Sequence, residues 1–494
     1  MSARLGAQAT ARPLAIATGL STPNEALGQR ADAAGTKEFP LSDPTGAATL
    51  PARVRRRAAL ASVVGTTVEW YDYFIFGTAS ALVFNELFFP DLSPAAGTLA
   101  AFAGFGVGFL ARPFGTILFG HFGDRVGRKP VLVASLLLMG VATVLIGLLP
   151  THASIGIWAP VLLVVMRLVQ GIGVGGEWGG AALVATEHAP TGRRGLYGTA
   201  PIVGVPLGTM LSAGVFSLVT AVCTEEQLLA WGWRIPFLLS GVLIVVGLVI
   251  RSSVEESPVF RQAQEQKQAP SRLPVWEVLR THPRAVLLAA GALAPGTAIF
   301  YIAATWTVSY ATSEIGFSKN EVLNVVAVVS ALGIAIKLAS GWWSDRIGRR
   351  PMIATGCVIM ALIAFPYFWL MNTGSIWLFA VAAFAVQISL GFLAGPIAAL
   401  FSELFETRLR YSGASLSYQL STTIAGGTAP VICAALYAGT GAYWPIAVYI
   451  IGLSLLGLMC ITLTRETYGN RLDGTPTGSA STDLAVDRHG QVTG

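Results

Sequence analysis

The chain has little charge. Asp, Glu, Lys and Arg together make up 12% of its 494 residues, against about 25% in an ordinary soluble domain. That excludes a water-soluble enzyme, and a disordered scaffold needs the opposite composition. Cysteine is scarce. Cys223, Cys357, Cys433 and Cys460 lie far apart and make no CxxC pair, so neither a disulfide framework nor a zinc site is indicated. His121, His152, His188, His282 and His489 fall in polar stretches and form no HExxH motif. A GxSxG elbow and a Walker motif are also missing, which argues against hydrolysis and against ATP-driven pumping. The expectation is a protein with no resident metal or cofactor. What the chain has in abundance is apolar surface: 53% hydrophobic residues, 55 glycines and a mean hydropathy of +0.64.

The apolar residues come in runs of about 20, the length that crosses a ~30 Å hydrocarbon core. Twelve such runs are expected: 58–84, 97–120, 131–150, 157–182, 196–221, 234–251, 285–311, 321–343, 352–371, 375–401, 412–437 and 442–463. The fold class is therefore all-α and multi-pass. Polar composition marks residues 1–52 and 466–494 as disordered tails, and a charged, Gln-rich link at 252–284 separates a six-helix half at 53–251 from a second at 285–465. Charge placement sets the orientation. With the N-terminus inside, twenty Arg and Lys side chains fall in inner links, and only Arg234 and Lys319 in outer ones. The positive-inside rule then puts both termini in the cytoplasm. It also accounts for the net charge of +6 without a nucleic-acid partner. The partners expected are membrane lipid, a small-molecule substrate and a proton.

An internal repeat supports the division. GHFGDRVGRKP at 120–130 returns as GWWSDRIGRRP at 341–351, with Asp124, Arg125, Gly127 and Arg128 matched by Asp345, Arg346, Gly348 and Arg349 at a constant offset of 221. A weaker echo joins Glu187, Arg193 and Arg194 to Glu403, Arg408 and Arg410. Two six-helix halves related by a repeat are the architecture of secondary transporters, with substrate held between the halves near mid-membrane. The repeated acids and arginines read as gates: Asp124, Arg125 and Arg128 with Glu187, and Asp345, Arg346 and Arg349 with Glu403. Such charge clusters form when the carrier closes on the cytoplasmic side and break when it opens.

These links resemble the loop signature of the major facilitator superfamily, and RLVQGIGVG at 167–175 resembles its span-4 signature. VEWYDYFIFG (68–77), GGEWGGAAL (175–183) and WGWRIPF (231–237) are similar to the superfamily's bacterial metabolite:proton symporters, the shikimate type above all. The resemblance covers about 55–465. It implies the twelve-helix major facilitator fold, proton symport in the bacterial plasma membrane, a monomer, and a link between Arg167 and proton transfer. The chain departs from the shikimate-type pattern at Glu69, in GALAPGTAIFYIAATW, which lacks that type's charges, and at Lys337. GVPLG at 204–208 is not the Gly-Pro-x-x-Gly-Gly motif of drug exporters, which favours import.

A charge at mid-bilayer costs about 2.5–3.5 kcal/mol on insertion scales, so it needs a partner or a wet cavity. Six qualify: Glu69, Asp72, Arg112, Arg167, Glu177 and Lys337. Glu69 and Asp72, three apart, share a helix face and repel each other when both are ionised, which suits proton coupling. Arg112 lies twelve residues before Asp124, about 18 Å up the helix, where its planar fork can take a substrate carboxylate. Gln170, Glu177, Tyr301, Trp306, Gln387, Tyr418 and Gln419 complete the candidate substrate residues. Lys337, eight residues before Asp345, is expected to snorkel to the inner surface, with an anion contact as the alternative. The glycines of 171–180 are read as helix packing. The expected function is proton-coupled import of a small organic acid, a shikimate-like hydroxy acid first. The alternatives are a proline/betaine symporter, for which Trp70, Tyr301 and Trp306 would supply a cation–π cage, and a transporter-like membrane sensor.

Overall fold

The computed structural model describes residues 51–92, 94–190, 192–257, 260–261, 265, 274–470 and 472. Twelve long helices run through them. In the first half they are α1 (Ala52–Leu82), α2 (Pro94–Gly123), α3 (Arg128–Leu148), α4 (Trp158–Glu187), α5 (Arg194–Val222) and α6 (Arg234–Ser252). In the second they are α7 (Pro283–Ser313), α8 (Lys319–Ile347), α9 (Arg349–Met371), α10 (Ile376–Leu404), α11 (Arg410–Thr440) and α12 (Trp444–Leu463). Each corresponds to one of the runs expected from the sequence. Helices α3 to α12 are apolar and long enough to cross a membrane. Helices α1 and α2, of 31 and 30 residues, complete the bundle. Large apolar side chains such as Leu110, Val249, Leu362 and Trp377 point outward and stay exposed. On a soluble protein such a surface would aggregate; here it is the face that meets lipid.

Small residues let the helices approach. In α4, Gly171 faces the carbonyl of Gly108 and Gly175 that of Arg112, both on α2. Gly204 and Gly208 of α5 face the Val63 and Thr67 carbonyls of α1 in the same way. Without a hydrophobic drive between helices in lipid, close backbone packing of this kind holds the bundle together. The glycines of 171–180 are thus packing residues, as expected. The first half encloses an aromatic core of Tyr71, Phe76, Phe84, Phe88, Trp233 and Phe237. The second encloses one built on Trp306, Tyr310, Phe368 and Phe379. Helices α7 and α11 each contain one wide π-helical turn, Ile302–Trp306 and Thr422–Gly426.

The structure corrects the expected C-terminal tail. The free tail placed at 466–494 does not begin at 466. Glu466 accepts from the backbone N–H groups of Arg349 and Arg350 at 3.0 and 3.1 Å. The Asn470 carbonyl accepts from Arg194, and the Leu472 carbonyl from Arg410. The described parts of the link at 252–284, for which no packing was expected or excluded, lie against the bundle. Val254 and Phe260 are buried, Glu256 caps α3 through the N–H groups of Arg128 and Lys129, and a helix at Pro274–Thr281 turns Val275 and Val278 inward. Of the tail expected at 1–52, all but the last two residues lie outside the described residues.

Candidate functional site

The end of the bundle that carries the two repeated links, here called the basic end, is closed by two matching latches. After α2, Asp124 accepts from the backbone N–H groups of Tyr411 and Ser412, both at 3.0 Å, at the start of α11 in the other half. Arg128 lies 3.6 Å from Glu187 and donates to the Thr407 carbonyl at 3.0 Å. Glu187 in turn pairs with Arg410 at 3.1 Å. The second latch repeats the first. Asp345 accepts from the N–H groups of Gly195 and Leu196 at 2.7 and 2.9 Å, at the start of α5. Arg349 pairs with Glu403 at 3.1 Å, and Glu403 with Arg194 at 3.5 Å. In each latch, then, a carboxylate of one half caps a helix N-terminus of the other, where orphan N–H groups and the helix dipole both favour an anion. The motif glycines have a steric reason. Gly127 and Gly348 sit at φ 119° and 107°, a region that L side chains rarely occupy, and a Cβ there would run into the carboxyl groups of Glu256 and Glu466.

Above the latches, the first half buries a polar pocket of about 20 Å³, room for a single water. Glu69, Asp72, Arg112, Arg167 and Gln170 line it. Asp72 accepts from Thr143 at 2.8 Å and from Ser240. Gln170 donates to Thr143 at 2.6 Å and accepts from Arg167 at 3.0 Å. Among the described residues, neither Glu69 nor Asp72 takes part in an ion pair. The arginines lie on aromatic faces instead: Arg112 is 4.2 Å from the Phe109 ring centre, and Arg167 is 4.1 Å from that of Phe76. Phe109, under Arg112, in turn packs edge-on against the ring of Tyr301 in the second half, 5.7 Å between ring centres.

Tyr301 belongs to the wall of a much larger cavity, about 330 Å³, between the halves. Helix α1 contributes Trp70, α5 the stretch from Pro201 to Ala213, α7 Phe300 and Tyr301, and α11 Tyr418 and Thr422. From α8 and α10 come Ser330, Lys337 and Gln387. Towards the basic end, Trp178 of the first half stacks on Tyr418 of the second, their rings 3.9 Å apart and nearly parallel. Lys337 is the sole charged side chain among the described residues of the wall.

A closed pair of six-helix halves with a cavity between them is the geometry of a carrier, and the family comparison agrees. The model of the Major Facilitator Superfamily matches residues 62–430. The chain is a member of that superfamily. It is 42% identical over 415 residues to the shikimate transporter of Escherichia coli (strain K12), covering 83% of this chain and 95% of that protein. To the proline/betaine transporter of Salmonella typhimurium it is 33% identical over 434 residues, 86% of each chain. Among solved structures, the proton:xylose symporter XylE bound to 6-bromo-6-deoxy-D-glucose matches with a TM-score of 0.71 at 16% identity, covering 86% of this chain and 98% of that one. At that identity the likeness concerns the fold alone. The chain is thus a multi-pass membrane transporter with the twelve-helix major facilitator fold, and its curated relatives are named as transporters, not enzymes.

Within this facilitator, the expected site residues separate into groups. Glu69, Asp72, Arg112, Arg167 and Gln170 meet in the small pocket. Tyr301, Gln387 and Tyr418 line the large one. Glu177 does not reach it: burial ties it to Arg251, with Ser135 at 3.1 Å. Trp306 stacks on Tyr310 inside the second half, so the cage of Trp70, Tyr301 and Trp306 does not form. Gln419 is buried at 2% exposure beside the cavity without lining it. Of the gate residues, Asp124, Arg128, Glu187, Asp345, Arg349 and Glu403 are all in the latches, whereas Arg346 lies over the Trp342 ring. Lys337 does not snorkel to the basic end: its ammonium leans back along α8 to Gly333. Arg251, Glu256 and Glu466 escaped the sequence reading. The signal available was position: Glu256 and Glu466 each follow the last helix of a half by a few residues.

Proposed function

We propose that this transporter is a proton-coupled symporter that imports a small organic acid across the bacterial inner membrane, with a shikimate-like hydroxy acid as first substrate. The stack Arg112–Phe109–Tyr301 carries the reading, because it joins the carboxyl pocket of one half to the wall of the cavity between the halves. The curated relative named as a shikimate transporter supports the substrate class. With the basic end cytoplasmic, the latched form is closed to the inside. A proton arriving on Glu69 or Asp72 removes a buried charge, and a carboxylate entering the cavity supplies one. Both changes bear on Arg112, so each favours the other. Opening then requires Asp124, Asp345 and their partners to part, after which both ligands leave to the cytoplasm. The polar chain Arg167–Gln170–Thr143–Asp72 is the route by which Asp72 exchanges its proton. No resident cofactor is needed, and one chain holds the whole site.

The test is uptake of radiolabelled shikimate into proteoliposomes under an inward proton gradient. The wild type is expected to accumulate it, and a protonophore to abolish accumulation. Glu69→Gln is expected to lose gradient-driven accumulation while exchange between labelled and unlabelled shikimate persists. If Glu69→Gln and Asp72→Asn both accumulate shikimate as the wild type does, the pocket is not the coupling site. A wild type that accumulates glycine betaine and no organic acid favours the second reading, which the 33% relative supports.

A further inference from the structure

We infer that Lys337, with Gln387 and Ser330, forms the subsite for the substrate carboxylate, and that it selects a hydroxy acid with a single negative charge over a zwitterion. This inference rests on the organic-acid reading above and names the recognition chemistry within it.

Lys337 stands ten residues before the end of α8 at Ile347, so it is not at the helix terminus. Side chains on a helix lean towards its N-terminus, and for α8 that direction leads away from the basic end. The geometry follows this rule. A methyl group built on Gly333, one turn earlier, would lie 3.5 Å from Lys337 Nζ and 2.8 Å from Gln387 Oε1. The ammonium therefore points along the cavity wall, not to the interface. Among the described residues it has no hydrogen bond and no ion pair. It is also the sole charge among the residues described on the wall. A cation held at this depth needs a counter-charge or water, and the protein supplies no anion here. The cavity is left with one unmatched positive charge, which a carboxylate neutralises with a charge-assisted hydrogen bond.

Gln387 adds the second half of the recognition. Its Nε2 donates to Ser330 Oγ at 3.3 Å, but its buried Oε1 has no partner. An unused buried acceptor is costly and asks for a donor. The distances to the Gly333 methyl position limit Oε1 to no more than about 6.3 Å from Lys337 Nζ. A ligand bearing a carboxylate at one end and a hydroxyl across a six-membered ring satisfies both groups together. A zwitterion satisfies the first but brings its own cation towards Lys337, where the two charges repel in a poorly hydrated cavity.

The test is equilibrium binding to the purified full-length protein, read by the fluorescence of Trp70 and Trp178 and checked with labelled ligand. The probes are shikimate, its uncharged methyl ester and glycine betaine. Lys337→Gln is expected to weaken shikimate roughly ten- to hundredfold, the loss of one hydrogen bond to a charged group. It should leave the ester unchanged and betaine no weaker, while Lys337→Arg retains most of the preference for acid over ester. Gly333→Ala keeps the charge but crowds the subsite, so it is expected to weaken shikimate severalfold. It carries the test if Lys337→Gln does not fold. Shikimate binding within twofold of wild type in Lys337→Gln, or in Gly333→Ala if that is the variant that folds, overturns the subsite and leaves the transport reading intact. A wild type that binds betaine but no organic acid overturns both.

Discussion

The two halves close alike but are filled differently. At the basic end every latch residue of the first half has its counterpart in the second: Asp124 with Asp345, Arg128 with Arg349, Glu187 with Glu403, Arg410 with Arg194, and the caps Glu256 with Glu466. At mid-depth the correspondence ends. The first half buries Glu69, Asp72, Arg112, Arg167 and Glu177, whereas the second presents Lys337 alone to the cavity. Closure is a shared task that both halves must perform together, so its parts are duplicated. In the function proposed above, proton handling and substrate recognition are separate tasks, which fits a carboxyl pocket in one half and a polar wall with Lys337 and Gln387 in the other.

The sharpest way to break this comparison is to unbalance the first half. Glu177→Gln leaves Arg251 buried without its counter-charge, and removing one partner of a buried pair costs about 3–5 kcal/mol. A large drop in the Tm of the detergent-solubilised protein is expected. A double variant, Glu177→Met with Arg251→Met, should recover most of it. If Glu177→Gln keeps its Tm but loses substrate affinity, Glu177 is a ligand after all. Next come the latches, where symmetry itself is under test. Asp124→Asn and Asp345→Asn each leave one of the two capped N–H groups without an acceptor, at a cost of about 1–2 kcal/mol. Both are expected to raise the labelling of a cysteine placed in the cavity by a reagent added at the basic face, and by similar factors. A tenfold difference between them would mean that one latch governs closure.

A gentler handle on the same latch is pH. Burial pushes the Asp124 carboxyl up to about 6 from the usual 3.8, although Arg128 and the N–H groups of Ser412 and Tyr411 pull the other way. The closed state thus holds this proton more firmly than a state in which Asp124 is solvated. Closure should gain stability as pH falls from about 6 towards 4, and the gain should vanish in Asp124→Asn. Cysteine labelling over that window measures it. The smallest effect belongs to the caps. Glu256→Gln and Glu466→Gln each trade a charged helix cap for a neutral one, and each is expected to cost about 0.5–1 kcal/mol of thermal stability.

Much of this was legible in the chain because the bilayer constrains it. Only helices satisfy their backbone in lipid, so a run of apolar residues is already a statement about structure, and twelve runs became twelve helices. The latches were legible through the repeat: two copies of Asp-Arg-x-Gly-Arg at one offset cannot arise from a positive-inside bias alone. Other residues were misjudged for physical reasons. Glu177 looked like a ligand because it follows Gln170 by two helical turns, yet its partner Arg251 lies 74 residues away on α6. Trp306 looked like a cavity residue, but the wide turn of α7 at 302–306 carries it into the aromatic core. Lys337 looked as though it would snorkel because depth was counted in residues without the lean of the side chain.

The sequence by itself therefore determined the helices, their number, the division into two halves and most of the latch charges, since apolar length and repeat spacing are one-dimensional quantities. Only the tertiary structure decided which buried charges pair, which face the cavity and which remain unmatched. Those outcomes depend on where helices distant in sequence bring their side chains together, and on which way each helix face is turned about its axis.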